Sequence, residues 1–264
     1  MKNIAPTAII EEGAKIADNV EIGHFCFIGA KVQIGEGTKL HNNVTITGKT
    51  TLGAGNTVFP GAVLGTQPQD LKYAGEETEL IIGEGNLIRE YAMFNPGTVG
   101  DCAKTIIGSG NLFMAYTHVA HDCMVGDRCI FANGATLGGH VHIGNHVNIG
   151  GLTPIHQFAH VGDYAMIAGA SALSQDIPPF CMAEGNRAVI RGLNRHRLRQ
   201  VFTREEIDRL YSLYRRLFSG SAPIKEIAQD ELNKNAGNDA NIEYMCRFIL
   251  DSKRGIPFSR GSNE

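Results

Sequence analysis

Aliphatic residues recur at every sixth position through the first 178 residues: Ile4, Ile10, Ile16, Ile22, Ile28, Ile34, Leu40, Ile46, Leu52, Val58 and Leu64. The pulse resumes in the same phase at Ile82, Ile88 and Phe94, slips by one residue, and runs unbroken from Ile107 to Leu173. A small residue often follows the aliphatic one, as in Ile22-Gly23, Ile28-Gly29, Ile34-Gly35 and Val125-Gly126. A period of six fits neither an amphipathic helix nor a heptad coiled coil nor an alternating strand. It predicts a parallel β-helix. A single six-residue side, one short strand and a corner, cannot bury its aliphatic residue alone. Three sides close a triangular coil of about 18 residues, and coils stacked about 4.8 Å apart share one continuous core. The repeat span predicts about nine such coils, with Gly and Asn suited to the corners.

Two segments interrupt the pulse. Gln67 to Glu79 lacks aliphatics at Asp70 and Glu76 but keeps the phase, which predicts a loop thrown outward at about 67–79. Thr98 to Lys104 inserts one extra residue and reads as a bulging corner. Loops on a rigid scaffold are where binding residues gather. After Ile177-Pro178-Pro179 the pattern becomes helical. Thr203 with Glu206 forms a capping box ahead of Ile207, Leu210, Leu213, Tyr214 and Leu217, Pro223 opens a second helix, and residues 239–254 give a third, stopped by Gly255. The expected organisation is a solenoid over 1–184 and an α-helical cap over 185–264.

Bulk properties narrow the function. A formal charge of -3 gives no basic character for nucleic acid. Six cysteines without a CxxC pair read as reduced packing residues in a cytoplasmic protein. The N-terminus enters the repeat at once, leaving no room for a signal peptide, and no apolar run approaches a membrane span.

His121, His140 and His156 fall in units starting at Val119, Leu137 and Ile155, 18 residues apart, and so on one side of successive coils. His118 sits at the adjoining corner, and His142 and His160 fall one above the other at the end of that side. His121 is suited to general-base work, with Asp122 fixing its tautomer and supporting its positive charge. It can equally be a solvated surface histidine beside a corner aspartate. A zinc cluster of His118, His121 and His140 is a third reading, although outer faces of solenoids converge poorly. His24, His41 and His146 lack such company and read as surface residues.

Three stretches sharpen the choice: Gln69-Asp70-Leu71-Lys72-Tyr73-Ala74-Gly75, Met114-Ala115-Tyr116-Thr117-His118-Val119-Ala120-His121-Asp122-Cys123, and Ile155-His156-Gln157-Phe158. In this order they resemble the UDP-N-acetylglucosamine acyltransferases that begin lipid A synthesis, and the resemblance extends over essentially the whole chain. It implies a left-handed β-helix and a homotrimer with active sites in clefts between subunits. It further implies transfer of an (R)-3-hydroxyacyl group from acyl carrier protein to the sugar 3-position of UDP-N-acetylglucosamine. No metal or dissociable cofactor takes part, since phosphopantetheine arrives on the carrier protein. By the same resemblance His121 is the base, Asp122 its acidic partner, and the backbone N–H of Gly139 the oxyanion donor. Gln69, Asp70 and Lys72 match the family's sugar-nucleotide loop, although an ordinary solvated charge pair would look alike. His118, His140, His156 and Gln157 match cleft-lining residues. In the cap, Asn194 aligns with a residue near the sugar nucleotide and Arg199 with a phosphate contact, while Arg195, Arg197 and Arg199 can also attract the acidic carrier protein.

Two departures stand out. Arg187 lies near the acyl-chain end, where the family often has histidine, and Asn95-Pro96 replaces His-Arg before Gly97-Thr98. Some relatives acylate a 3-amino sugar analogue, forming an amide. That analogue, another nucleotide sugar, a γ-carbonic-anhydrase-like metal site and a noncatalytic scaffold are the competing readings.

Overall fold

A computed structural model of the chain describes residues 3–219, 222–235 and 237–258. The chain winds as a left-handed parallel β-helix with three faces, followed by an α-helical domain. The first face stacks nine parallel strands from Asn3–Ile4 to Met166–Ile167. The second runs through eight from Ile9–Ile10 to Pro154–Ile155, and the third through eight from Lys15–Ile16 to His160–Val161. Bridges of Ile155 with Leu173 and Val161 with Ile177 carry the coil to the end of the repeat.

Each strand is two to four residues long in this part of the chain, so only one or two side chains per side can point inward. The sixth-residue aliphatics do so. Ile22, Leu40, Val58, Ile88, Phe113, Phe131, Ile149 and Ile167 form one inward ladder, and the core residues from Val20 to Ile177 are almost wholly buried. Each buried side chain of this size stabilises the fold by about 1.5–3 kcal/mol relative to exposure. Phe113 and Phe131, paired in register, stack at 4.6 Å. Backbone N–H groups at one corner are met by an asparagine ladder. Asn86 N–H and Nδ2 both donate to Asn56 Oδ1, at 2.9 and 3.0 Å, and Asn111 N–H donates to Asn86 Oδ1 at 2.9 Å.

The two interruptions share one corner. Ile82 pairs with Leu52 and Ile107 with Ile82, separations of 30 and 25 residues where an undisturbed coil takes 18. Twelve residues are therefore extruded between the strands Val63–Leu64 and Glu79–Ile82, and seven between Met93–Phe94 and Lys104–Ile107. The second extrusion is larger than the single extra residue expected, because one and seven are the same slip in a six-residue phase. Asn95 Nδ2 donates to the carbonyls of Thr66 and Gln67 at 3.0 and 3.1 Å, tying the base of the first loop to the start of the second.

The first face continues past the repeat. Cys181–Glu184 adds a parallel strand and Val189–Leu193 an antiparallel one, so the division expected between 184 and 185 falls inside this pairing. Among the described residues four helices follow: α1 (Arg195–Leu198), α2 (Arg204–Ser219), α3 (Ile224–Asn235) and α4 (Ala240–Asp251). The capping box ahead of α2 forms, with Thr203 N–H donating to Glu206 Oε2 at 2.7 Å. Asp239 caps α4 by accepting from Asn241 N–H and Ile242 N–H. Residues 259–264 of the expected cap lie outside the described residues. Polar ties fasten these helices to the solenoid: Tyr244 Oη donates to Asp163 Oδ1 at 3.0 Å, and Ser252 Oγ to buried Asp176 at 2.6 Å. His146, expected to be free at the surface, stacks on Tyr164 at 4.7 Å and meets Arg197 at 3.0 Å.

All six cysteines are free thiols, and five are buried. Burial pushes the thiols of Cys123 and Cys129 up to about 12, as expected of packing groups. No described helix is long and apolar enough to cross a membrane.

Candidate active site

The corner between the second and third faces concentrates the chemistry. Its successive coils bring Asp122, His140 and Phe158 to the same left-handed position, with φ of 58°, 60° and 65°. Backbone bonds lock the stack: His140 N–H donates to His121 O, and Phe158 N–H to Gly139 O, both at 3.0 Å. His121, Gly139 and Gln157 precede these three residues, so the 18-residue step places them above one another too. Stacking of the corner rings follows directly. His140 lies flat on Phe158 at 4.4 Å and edge-on to His121 at 5.1 Å.

His121 Nδ1 lies 2.8 Å from Asp122 Oδ2. The carboxylate of Asp122 has 0% exposure and accepts two further bonds, from Thr98 N–H at 2.8 Å and Thr98 Oγ1 at 2.7 Å. The bond to this carboxylate fixes the proton of His121 on Nδ1, leaving Nε2 as the basic nitrogen. Gly139 makes room for that nitrogen. A Cβ there would lie 2.7 Å from His121 Nε2 and 2.6 Å from Cε1. Among the described residues Gly139 N–H donates to no group, so a backbone donor stands unspent beside the basic nitrogen.

His118 opens the strand His118–Val119 and is half-buried. Burial lowers its pKa, and the charge on His121 pushes the same way against a backbone hydrogen bond at Met93. The neutral imidazole is favoured. His156 and Arg187 line one cleft of about 580 Å³ with Leu173, Ala188, Ile256 and Phe258. Gln157 is exposed at the same corner. In the first extruded loop, Asp70 Oδ1 accepts from Lys72 N–H at 3.0 Å, and Gln69 Nε2 lies 3.2 Å from Met93 Sδ. Leu71 between them is fully exposed.

Asn194 has structural duties that its sequence did not disclose. It is buried, its Nδ2 donates to Tyr164 O at 2.8 Å, and its Oδ1 caps α1. Arg199 is exposed and borders a hollow with Arg195, Phe202, Arg204 and Tyr211. Sequence reasoning missed Thr98 and Asp101. Both lie in the second extruded loop, which the slip in the pulse and the Asn95-Pro96 departure had marked.

His121, Asp122 and His140 offer ligand atoms within 4.8 Å of one another, a spacing that a metal ion can span. The trio contains Asp122 in place of the His118 considered from sequence. Both Asp122 oxygens already accept hydrogen bonds, which makes this carboxylate a poor fit as a ligand.

A parallel β-helix with a paired histidine and carboxylate at an outer corner, beside an unspent backbone donor, defines a hexapeptide-repeat acyltransferase. The profile described as bacterial transferase hexapeptide (six repeats) matches residues 104–139, and that of the Udp N-acetylglucosamine O-acyltransferase; Domain 2 family matches residues 176–257. The acyl-[acyl-carrier-protein]–UDP-N-acetylglucosamine O-acyltransferase of Aliarcobacter butzleri is 56% identical over 263 residues, covering 98% of this chain and 100% of its own. A crystal structure of a UDP-N-acetylglucosamine acyltransferase superposes with a TM-score of 0.96 at 56% identity, over 98% of this chain and 100% of that one. The Campylobacter jejuni UDP-N-acetylglucosamine acyltransferase gives 0.92 at 45% identity, again over 98% and 100%. The chain belongs to the UDP-N-acetylglucosamine O-acyltransferase family.

Proposed function

We propose that the chain transfers an (R)-3-hydroxyacyl group from acyl carrier protein to the 3-position of UDP-N-acetylglucosamine, the first step of lipid A biosynthesis. The observation that carries this reading is the 2.8 Å pairing of His121 with a buried Asp122, beside the unspent N–H of Gly139. His121 Nε2 takes the proton of the sugar 3-hydroxyl as that oxygen attacks the thioester carbonyl. Negative charge then develops on the carbonyl oxygen, where a preorganised N–H stabilises it without reorganisation. The C–S bond breaks as the carbonyl re-forms, and the departing phosphopantetheine thiolate takes the proton back from His121. Asp122 holds the imidazolium through its bond to Nδ1. No resident cofactor is needed for this sequence.

In this reading Gln69, Asp70 and Lys72 contact the sugar nucleotide, with the carboxylate accepting sugar hydroxyls and the ammonium facing phosphate. His118, His140, His156 and Gln157 line the acceptor and donor cleft. The largely apolar hollow bordered by His156 and Arg187 suits an acyl tail. Asn194 and Arg199 reach the nucleotide end, with Arg195 and Arg197 available to the acidic carrier protein. The active unit is a homotrimer, in which the extruded loop completes a neighbour's cleft. The solenoid of 1–184 carries the chemistry, and 185–264 frames the cleft. Six free thiols suit a cytoplasmic setting.

The test is mass spectrometry of the product from purified protein supplied with (R)-3-hydroxyacyl carrier proteins of several lengths. UDP-N-acetylglucosamine and its 3-amino analogue are offered separately and in competition, with His121→Ala as control. A hydroxylamine-labile acyl sugar, lost in the control, is the expected result, while a resistant product identifies amide formation. Absence of product with either acceptor overturns the reading. Light scattering tests the trimer, and a monomer with full activity refutes it.

A further inference from the structure

The second extruded loop holds more than Asp122. Its backbone closes a compact turn: Asp101 N–H and Ala103 N–H both donate to Thr98 O, at 3.3 and 3.1 Å, and Gly97 N–H donates to Glu79 O at 3.2 Å. With Thr98 anchored on Asp122, this turn delivers Asp101 to His140, whose Nδ1 lies 2.8 Å from Asp101 Oδ2. Two histidine–carboxylate pairs thus stand on adjacent coils, and one seven-residue extrusion supports both.

We propose that Asp101 is a positioning residue that holds His140 as its Nδ1–H tautomer and aims Nε2 into the cleft beside His121. The proposal rests on the reading given under the proposed function, that His140 lines the acceptor cleft. The geometry restricts the ring on several sides. Phe158 covers one face at 4.4 Å, His121 stands edge-on at 5.1 Å, and Asp101 grips Nδ1. Nε2 lies 3.9 Å from Asp122 Oδ2, beyond hydrogen-bond range, and so remains available to a ligand. An unsupported neutral imidazole in water prefers the proton on Nε2. A carboxylate at Nδ1 reverses that choice, since the bond made by one ring nitrogen decides the state of the other. The alternative is an ordinary surface pair, because Asp101 is 45% exposed and such pairs contribute little to stability. The two readings separate at the ring and at the substrate, not in the melting temperature.

The experiment compares the full-length wild-type protein with Asp101→Ala and Asp101→Asn. Nitrogen-15 NMR of labelled histidines, assigned with a His140→Gln variant, reads the tautomer without reference to turnover. Steady-state kinetics read KM for UDP-N-acetylglucosamine separately from kcat. Asp101→Ala is expected to move His140 to the Nε2–H tautomer, leave His121 unchanged, and raise KM about tenfold with kcat within about twofold. Asp101→Asn, whose amide oxygen still accepts from Nδ1–H, is expected to restore most of both signals. An unchanged tautomer in Asp101→Ala overturns the proposal, as does equal loss of melting temperature and kcat in both variants. A shifted tautomer in a protein that acylates neither acceptor supports the positioning and refutes the assigned activity instead.

Discussion

Replacing Gly139 by alanine tests whether the space beside His121 Nε2 is where the acceptor sits. The backbone of Gly139 lies outside the left-handed region, so it can hold a Cβ. The three nearest atoms to that Cβ would all belong to the His121 ring: Cε1 at 2.6 Å, Nε2 at 2.7 Å and Nδ1 at 3.2 Å. Ordinary carbon contacts sit at about 3.5–4.0 Å, so the ring must retreat by about 1 Å. It cannot retreat freely. Nδ1 is bonded to Asp122, and Asp122 is itself clamped by Thr98. Breaking the charge-assisted bond costs about 1.5–3 kcal/mol. If the ring shifts, a displacement of this size is worth about 100-fold in rate. If it stays, the methyl occupies the seat of the attacking hydroxyl.

Either way Gly139→Ala is expected to lose about 100-fold or more in kcat/KM, measured by product mass spectrometry. Loss of glycine's unfolded-state freedom offsets part of the overpacking, so thermal unfolding should move by no more than about 2 kcal/mol. Gly138→Ala supplies the contrast. Its Cβ would meet the backbone nitrogen of Gln157 at 2.8 Å and the carbonyl oxygen of Ile155 at 3.2 Å, neither of which can swing aside. That variant should fail through stability. Activity of Gly139→Ala within about threefold of wild type would refute the placement of the acceptor beside Nε2.

Thr98→Val removes the 2.7 Å bond to a wholly buried carboxylate, so kcat is expected to fall by about tenfold or more, with Thr98→Ser close to wild type in the same assay. Asn86→Ala deletes bonds to Asn56 and Gly108 and leaves Asn111 N–H without its acceptor in a wholly buried corner, lowering stability by about 3 kcal/mol in chemical unfolding. Acid should loosen the helical domain. Burial opposes ionisation of Glu231 and Asp239, but bonds from Arg216 and Lys234 to Glu231, and from Arg209 to Asp239, prevail and hold both pKa values below the usual carboxylate range. Their stabilisation is present above the unfolded pKa values of about 4 and disappears as pH falls through the lower folded values. Helical circular dichroism followed from pH 6 to pH 2 should therefore decline at lower temperatures as acid is added, and Glu231→Gln should flatten that dependence.

The coil and its histidine corner were legible because a repeat makes distance in sequence proportional to distance along the axis. The 18-residue step put His121 and His140 on one side, and their rings meet at 5.1 Å. Insertions defeat this reasoning, since the pulse records their length only as a remainder after division by six. The twelve-residue extrusion left no phase change at all, and the seven-residue one looked like a single residue. The partners of Asp122 and His140 lie in that second segment, with Asp101 and His140 39 positions apart. Nothing periodic links them, because Asp101 belongs to no coil. Asn194 shows the converse. It was read as lying near the sugar nucleotide, and the sequence did not disclose that its side chain also caps α1 and binds Tyr164 O. Residues on the repeat inherit their neighbours from the period, whereas those off it depend on where a loop folds back. The supports of the candidate pair His121 and Asp122 fall in the second class, and substitutions at Thr98 and Asp101 will therefore show whether the solenoid alone can organise the site.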